Sequence, residues 1–153
     1  MPEKKKVLVI CVHNSARSQM AEEYIRLYGS ERFDVESAGL EPGELNPLVV
    51  EALKEEGIDI SGKATQDVFD LYKQGRDYYH VITVCSKEAG ERCPIFPGPT
   101  LRHYWPFPDP SAFEGSHDEN LAKVREVRDA IKAKVKAFVE DEDLENADDV
   151  WKD

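Results

Sequence analysis

The sequence contains few cysteines, no long apolar run and a shortage of positive charge. Its three cysteines are Cys11, Cys85 and Cys93, and this small odd number argues for reduced thiols rather than a structural disulfide framework. The longest apolar run is far below the roughly 20 residues of a bilayer-spanning helix. The net charge is −11. Nucleic acids and membranes are therefore not expected as partners.

The length and the distribution of charge predict one folded domain and a short tail. A chain of 153 residues that is 41% hydrophobic suits a single domain with its own core. We predict this domain over residues 1–140 and an acidic tail over 141–153, where aspartate and glutamate crowd together. The apolar part of the N-terminal stretch MPEKKKVLVICVHN is too short for a signal peptide, so a cytoplasmic location is expected.

Strand and helix patterns alternate along the chain. The runs KKVLVIC, RFDVESAG and HVITVC and the start of LRHYWPFPDPSAF are typical of strands, whereas helices are predicted from Ser18 to Gly29, in NPLVVEALKEEG and in TQDVFDLY. A last, long helix has one apolar face, formed by Leu121, Val124, Val127, Ile131, Val135 and Phe138. This order predicts an α/β fold, a single doubly wound parallel sheet of about four strands with helices on both faces.

Chemically reactive residues follow the strands of this predicted sheet. Cys11 ends the first strand, Cys85 ends the HVITV strand, and the motif PFPDP, which contains Asp109, follows the last strand. Ligands of doubly wound sheets bind outside the carboxyl ends of the strands. The sequence therefore predicts a functional site at this edge.

The stretch CVHNSARS, which connects the first strand to the first helix, has the composition of an anion-binding loop. Its amides, together with the helix N-terminus, can surround a tetrahedral oxyanion, and Arg17 can bind two of its oxygens. The same field favours the thiolate of Cys11, to which Ser18 can donate a hydrogen bond. The predicted oxyanion-binding residues are Val12, His13, Asn14, Ser15, Ala16 and Arg17.

The cysteines also allow simpler interpretations. Cys11 alone could be a small buried apolar residue and Arg17 a surface cation. Cys85 and Cys93 could be unrelated buried thiols, or zinc ligands together with His80 or His103, although their spacing matches no structural zinc motif.

The loop CVHNSARSQMAE resembles the phosphate-binding loop of the low-molecular-weight tyrosine phosphatases, and more closely that of the thioredoxin-coupled arsenate reductases that share their fold. Those families carry a cysteine, five residues, an arginine and a serine at the end of the first strand. The resemblance continues through VESAG, NPLVVEALKEEGIDIS, VITVC and WPFPDPS, and so covers most of the chain.

This resemblance implies a relay of three thiols. Cys11 would attack arsenate, Cys85 would then form a disulfide with Cys11 and release arsenite, and Cys93 would take over the disulfide from Cys11. The stretch CSKEAGERCP that holds the last two cysteines is polar and contains glycine, so its backbone conformation can change at a small cost in free energy. Asp109 matches the general acid of the family.

The resemblance also implies the partners. Arsenate, phosphate or sulfate would bind in the loop, thioredoxin would be the reductant, and no tightly bound cofactor is expected. A potassium ion is implied near Asn14, Glu22 and Ser37, with Asp67 less securely aligned.

Two alternatives remain open. One is a protein-tyrosine phosphatase that uses Cys11, Arg17 and Asp109 alone. The other is a non-catalytic oxyanion-binding or redox-sensing module.

Overall fold

The described part of the chain contains four parallel strands and four helices. The computed structural model describes residues 4–85, 91–94, 96 and 100–140. Its elements are β1 (Lys5–Cys11), α1 (Arg17–Gly29), β2 (Phe33–Gly39), α2 (Pro47–Lys54), α3 (Val68–Lys73), β3 (His80–Thr83), β4 (Leu101–Tyr104), a 3₁₀ turn (Pro110–Ala112) and α4 (His117–Glu140). The predicted acidic tail, residues 141–153, lies outside the described residues and stays a prediction.

The sheet has the strand order β2-β1-β3-β4, and every pair is parallel, as predicted. All residues of β1 from Val7 to Ile10 are fully buried, so both faces of this central strand are covered. The chain leaves β1 towards β2 on one side and returns to β3 on the other. The switch point of this doubly wound sheet therefore lies between the carboxyl ends of β1 and β3, beside Cys11 and Cys85.

The helices bury the faces that their sequences predict. The six apolar residues named above on α4 are all buried, and α4 packs against both α1 and α2. Each side chain of this size contributes about 1.5–3 kcal/mol when it is fully buried. At the start of α2, the side chain of Asn46 accepts a hydrogen bond from Leu48 N at 2.9 Å, and Pro47 occupies the first turn.

The two histidines considered as zinc ligands lie in the core between β3 and β4. His80 Nδ1 and His103 Nε2 are 2.8 Å apart, and both rings pack against Phe138. Within the described ranges, no group of three His, Cys, Asp or Glu side chains is placed to hold a metal ion. Nor does any helix in those ranges combine the length and the apolar character needed to cross a bilayer.

Candidate active site

The CVHNSARS loop leaves the sheet at its switch point. β1 ends at Cys11, residues 12–16 form the loop, and α1 begins at Arg17. Ala16 occupies the N-cap position of α1, where no side chain caps the helix. The first amides of α1 are therefore not used by a capping side chain, and the helix dipole favours an anion at this end.

Two hydrogen bonds converge on the Cys11 sulfur. Asn14 N donates to Cys11 Sγ at 3.2 Å, and Ser18 Oγ lies 2.9 Å from the same sulfur. The Ser18 oxygen accepts a hydrogen bond from Asn14 Nδ2 at 2.8 Å, and its own hydrogen can be donated to a thiolate sulfur, which can only accept. Both partners carry hydrogens that a sulfur anion can accept.

Asn14 holds the loop together. Its backbone is left-handed, with φ of 54°, a conformation that asparagine tolerates better than most residues. Its Nδ2 bonds Ser37 Oγ as well as Ser18, and its Oδ1 accepts from Gln66 N at 2.9 Å. Gln19 Nε2 donates to Asn14 O at 2.9 Å. The sequence singled out Asn14, but not Gln19 or Gln66, because nothing in their spacing marks them as supports of the loop.

The segment after β2 satisfies the loop's carbonyl groups, which sequence reasoning missed entirely. Four of its amides donate to four loop carbonyls over 2.7–3.2 Å. The pairs are Leu40 N to Cys11 O, Glu41 N to Val12 O, Gly43 N to His13 O and Asn46 N to Ser15 O. Since the carbonyls bond outwards to this segment, the opposite side of the loop is left to the amides that an oxyanion requires.

The remaining residues of the predicted loop have different exposures. Ser15 is buried, Val12 is partly buried and His13 is exposed. The ring of His13 bonds outwards, with Nδ1 2.9 Å from Glu41 O. His13 therefore belongs to the rim of the loop rather than to its interior.

Arg17 connects the loop to the PFPDP segment. Its Nη1 donates to Phe107 O at 3.1 Å, and its Nη2 lies 3.7 Å from Asp109 Oδ2. Arg17 is buried, whereas the Asp109 side chain is 41% exposed. The predicted acid thus stands beside the predicted oxyanion-binding arginine, although 92 residues separate them in the chain.

Cys85 lies at the same edge of the sheet as Cys11. It is buried, and its Sγ is 4.0 Å from the carbonyl oxygen of Ile10, the residue before Cys11. Cys93 is partly buried, and its neighbour Arg92 pairs with Glu41 Oε2 at 2.8 Å. This ion pair ties the Cys93 segment to the support of the loop. All three cysteines are free thiols, and residues 86–90, in the stretch expected to rearrange, lie outside the described residues.

Burial keeps both of the later thiols protonated. It raises the pKa of Cys85 to about 11, and the negative charge of Cys11 adds to this rise while Arg17 opposes it. Burial likewise raises the pKa of Cys93 to about 12, against the opposing influence of Arg102. Cys85 and Cys93 are thus poor nucleophiles in the resting protein, and each needs a change in its surroundings before it attacks.

The repulsion between the charges of Cys11 and Cys85 predicts a measurable pH profile for the reaction of Cys85. In a Cys93→Ser variant whose Cys11 is protected from iodoacetamide by saturating phosphate, alkylation of Cys85 should rise about tenfold per pH unit up to about pH 10, because only the thiolate reacts. Adding Cys11→Ser removes the repelling charge and should move the profile to lower pH. Mass spectrometry of alkylated peptides measures both profiles, and identical profiles would show that the two sulfurs do not interact.

The residues implied for a potassium ion do meet, but the one carboxylate among them, Glu22, already pairs with two cations. The Ser37 hydroxyl donates to Glu22 Oε1, and Asn14 donates to Ser37 Oγ at 2.9 Å. Glu22 Oε2, however, lies 2.6 Å from Lys63 Nζ and 2.5 Å from Arg26 Nη2. A third cation on one carboxylate would be repelled by the two present, so these contacts do not fit a further ion. Asp67 instead caps α3 by accepting from Phe69 N.

The chain is similar in sequence and in structure to proteins of a known family. The sequence model of the family described as low molecular weight phosphotyrosine protein phosphatase matches residues 6–148. The chain is 40% identical over 139 residues to an arsenate reductase of Bacillus subtilis (strain 168), covering 90% of this chain and 97% of that protein.

Solved structures agree with the sequence matches. An arsenate reductase in its phosphate-binding state has 30% identity and a TM-score of 0.66, over 89% of this chain and 97% of that one. A thioredoxin-dependent arsenate reductase of Corynebacterium glutamicum has 29% identity and a TM-score of 0.58, over 88% of this chain and 63% of that one. The chain therefore belongs to the low molecular weight phosphotyrosine protein phosphatase family, among relatives that are arsenate reductases.

Proposed function

We propose that this protein is an arsenate reductase that uses Cys11, Cys85 and Cys93 in succession and is regenerated by thioredoxin. The observation that carries the proposal is the position of Cys85 Sγ, 4.0 Å from Ile10 O and at the strand end next to Cys11. A phosphatase has no use for a second thiol there. The names of the relatives support the same activity.

The first step forms a bond between sulfur and arsenic. Arsenate occupies the loop, with Arg17 binding two of its oxygens and the loop amides binding the others. The Cys11 thiolate, supported by Asn14 N and Ser18, attacks the arsenic centre. Asp109 protonates the departing oxygen, which leaves as water. For this step the Asp109 carboxyl must carry a proton, and its exposed position beside the loop gives it access to solvent.

The second step reduces arsenic. The Cys85 thiolate attacks the Cys11 sulfur, a disulfide forms, and the electron pair of the sulfur–arsenic bond remains on arsenic, which leaves as arsenite. Two thiols have then supplied the two electrons that convert As(V) to As(III). The adduct removes the thiolate charge of Cys11, which is one of the causes that raise the pKa of Cys85.

The third step restores the loop. Cys93 attacks the Cys85 sulfur, so that the Cys11 thiolate is released and the disulfide moves to Cys85 and Cys93. A thioredoxin dithiol then reduces this disulfide. We place the reaction in the cytoplasm, where a thioredoxin system keeps such thiols reduced.

Coupled turnover tests the proposal directly. With thioredoxin, thioredoxin reductase and NADPH, arsenate should cause steady NADPH consumption that a Cys11→Ser variant abolishes. Buffer containing phosphate in place of arsenate is the matched control, because phosphate binds the same loop but cannot be reduced by thiols. An absence of arsenate-dependent consumption with active thioredoxin would refute the proposal.

Phosphate-ester hydrolysis is the second candidate, and the Arg17–Asp109 contact favours it. An arginine for the phosphoryl oxygens and an acid for the leaving group, 3.7 Å apart, are what an aryl phosphatase needs besides Cys11. We propose this activity as a weak accompaniment of the reductase. A non-catalytic oxyanion-binding or redox-sensing module would not need an acid at this place.

A further inference from the structure

A buried carboxylate lies behind the Cys11 loop, and its counter-charge comes from an unrelated part of the chain. Only 4% of the Glu22 side chain is exposed. Its Oε2 accepts from Lys63 Nζ at 2.6 Å, and Lys63 lies on the connection between α2 and α3. Burying a carboxylate is costly unless it is paired and hydrogen-bonded, and the ammonium group of Lys63 supplies such a partner.

The other oxygen of this carboxylate sets the direction of the next hydroxyl. Ser37 Oγ donates to Glu22 Oε1, which leaves the serine oxygen as an acceptor. Asn14 Nδ2 donates one of its hydrogens to that oxygen at 2.9 Å.

The side-chain amide of Asn14 also extends the chain of hydrogen bonds to the Cys11 sulfur. The second hydrogen of Asn14 Nδ2 goes to Ser18 Oγ at 2.8 Å, and Ser18 Oγ lies 2.9 Å from Cys11 Sγ. A thiolate sulfur can only accept, so with Cys11 as a thiolate this bond is donated by the Ser18 hydroxyl. An unbroken chain of hydrogen bonds thus leads from the Lys63 ammonium group to Cys11, and every residue between them is buried.

We propose that Lys63 is a positioning residue for the Cys11 thiolate. Its ammonium charge holds the Glu22 carboxylate in place, and the carboxylate orients Ser37, Asn14 and Ser18 so that a hydroxyl hydrogen can point at the sulfur. Lys63 does not contact the reacting atoms. The inference rests on the proposed role of Cys11 as a nucleophile but not on arsenate chemistry, since alkylation of Cys11 measures it.

Arg26 does not make Lys63 redundant. The guanidinium also reaches Glu22 Oε2, but it bonds Glu23 Oε2 at 2.6 Å and Val35 O as well, and 48% of its side chain is exposed. Lys63 Nζ is also near Glu23 Oε2, but at the longer distance of 3.9 Å. The Lys63 side chain is only 25% exposed, and it approaches the Glu22 carboxylate from the connection between α2 and α3. A charge that is less exposed is screened less by solvent and salt.

The test is the pH profile of Cys11 alkylation, measured in a Cys85→Ser/Cys93→Ser background so that one thiol remains. Lys63→Met should move the profile to higher pH and slow alkylation near pH 7 by about tenfold, the scale of one hydrogen bond to a charged group. Lys63→Gln should do the same, and Lys63→Arg should retain the original profile. Lys73→Met, at the exposed end of α3, is the matched control.

A double-mutant cycle identifies the route. Because Ser37→Ala breaks the chain of hydrogen bonds, Lys63→Met should cause no further slowing in that background. Circular dichroism and thermal unfolding confirm that each variant is folded, and Lys63→Gln replaces Lys63→Met if the latter is not. The proposal is overturned if the neutral variants react as Lys73→Met does, or if their effect persists after Ser37→Ala.

Discussion

A Cys85→Ser variant is expected to lose thioredoxin-dependent arsenate turnover while its Cys11 loop remains intact. The loss should be on the order of 10³-fold or more, as expected when a group that forms an essential covalent bond is removed. Without the second thiol, the sulfur–arsenic bond formed by Cys11 has no internal nucleophile to break it. The substitution is tolerable in the fold, since the introduced hydroxyl can donate to Ile10 O after a small shift from the present 4.0 Å separation.

Two measurements separate this loss from a damaged loop. Phosphate should protect Cys11 from iodoacetamide equally well in the wild-type protein and in Cys85→Ser, because the loop residues are unchanged. A Cys93→Ser variant should differ from both, since it should release one equivalent of arsenite and accumulate the Cys11–Cys85 disulfide. Thioredoxin-dependent turnover that survives in Cys85→Ser would exclude the relay and would mean that an external thiol attacks the Cys11–arsenic adduct directly.

Substitution of Gly39 should damage the loop itself. A Cβ at this position would lie 2.7 Å from Val12 O and 2.8 Å from Asn14 N, both of which are backbone atoms that cannot move alone. We expect Gly39→Ala to displace the loop, to weaken phosphate binding strongly and to lower the free energy of unfolding by about 1–3 kcal/mol. For a chain of this length that change lowers Tm by about 2–4 °C per kcal/mol.

Gly62→Ala provides the matched control. An added Cβ at Gly62 meets no atom within 4 Å, so this variant should bind phosphate and unfold as the wild-type protein does. Calorimetric titration with phosphate and thermal unfolding measure both properties. If Gly39→Ala behaves like Gly62→Ala, close packing of β2 against the loop does not support oxyanion binding.

The strand and helix pattern was predictable because burial has a period that can be read along the chain. The residues predicted to be buried on the apolar face of α4 and in the apolar run of β1 are buried in the structure. The predicted order of strands and helices indicated the parallel sheet. The start of α2 followed from Asn46 and Pro47, since capping is local chemistry. Such features depend on neighbours within a few residues, and for this reason the sequence suffices for them.

The support of the loop was not predictable, because its contacts join segments far apart in the chain. The amides of residues 40–46 bond loop carbonyls through the backbone, and backbone groups carry no sequence signal. Gln66 lies 52 positions from Asn14 in the chain and contacts it through its backbone N–H, which donates to Asn14 Oδ1. Lys63 lies on the connection between α2 and α3, and only folding brings its ammonium group to Glu22.

The sequence by itself determined which chemistry is available: a cysteine and an arginine around an anion-binding turn, an acid between prolines and two further thiols. It also determined the sheet edge at which they gather, because alternating strands and helices with parallel pairing leave little choice of topology. The tertiary structure alone decided that Asp109 stands beside Arg17, that Cys85 is buried next to β1 and that Glu22 is neutralised from behind by Lys63. These arrangements depend on distances between remote segments, which packing sets and which local sequence does not encode.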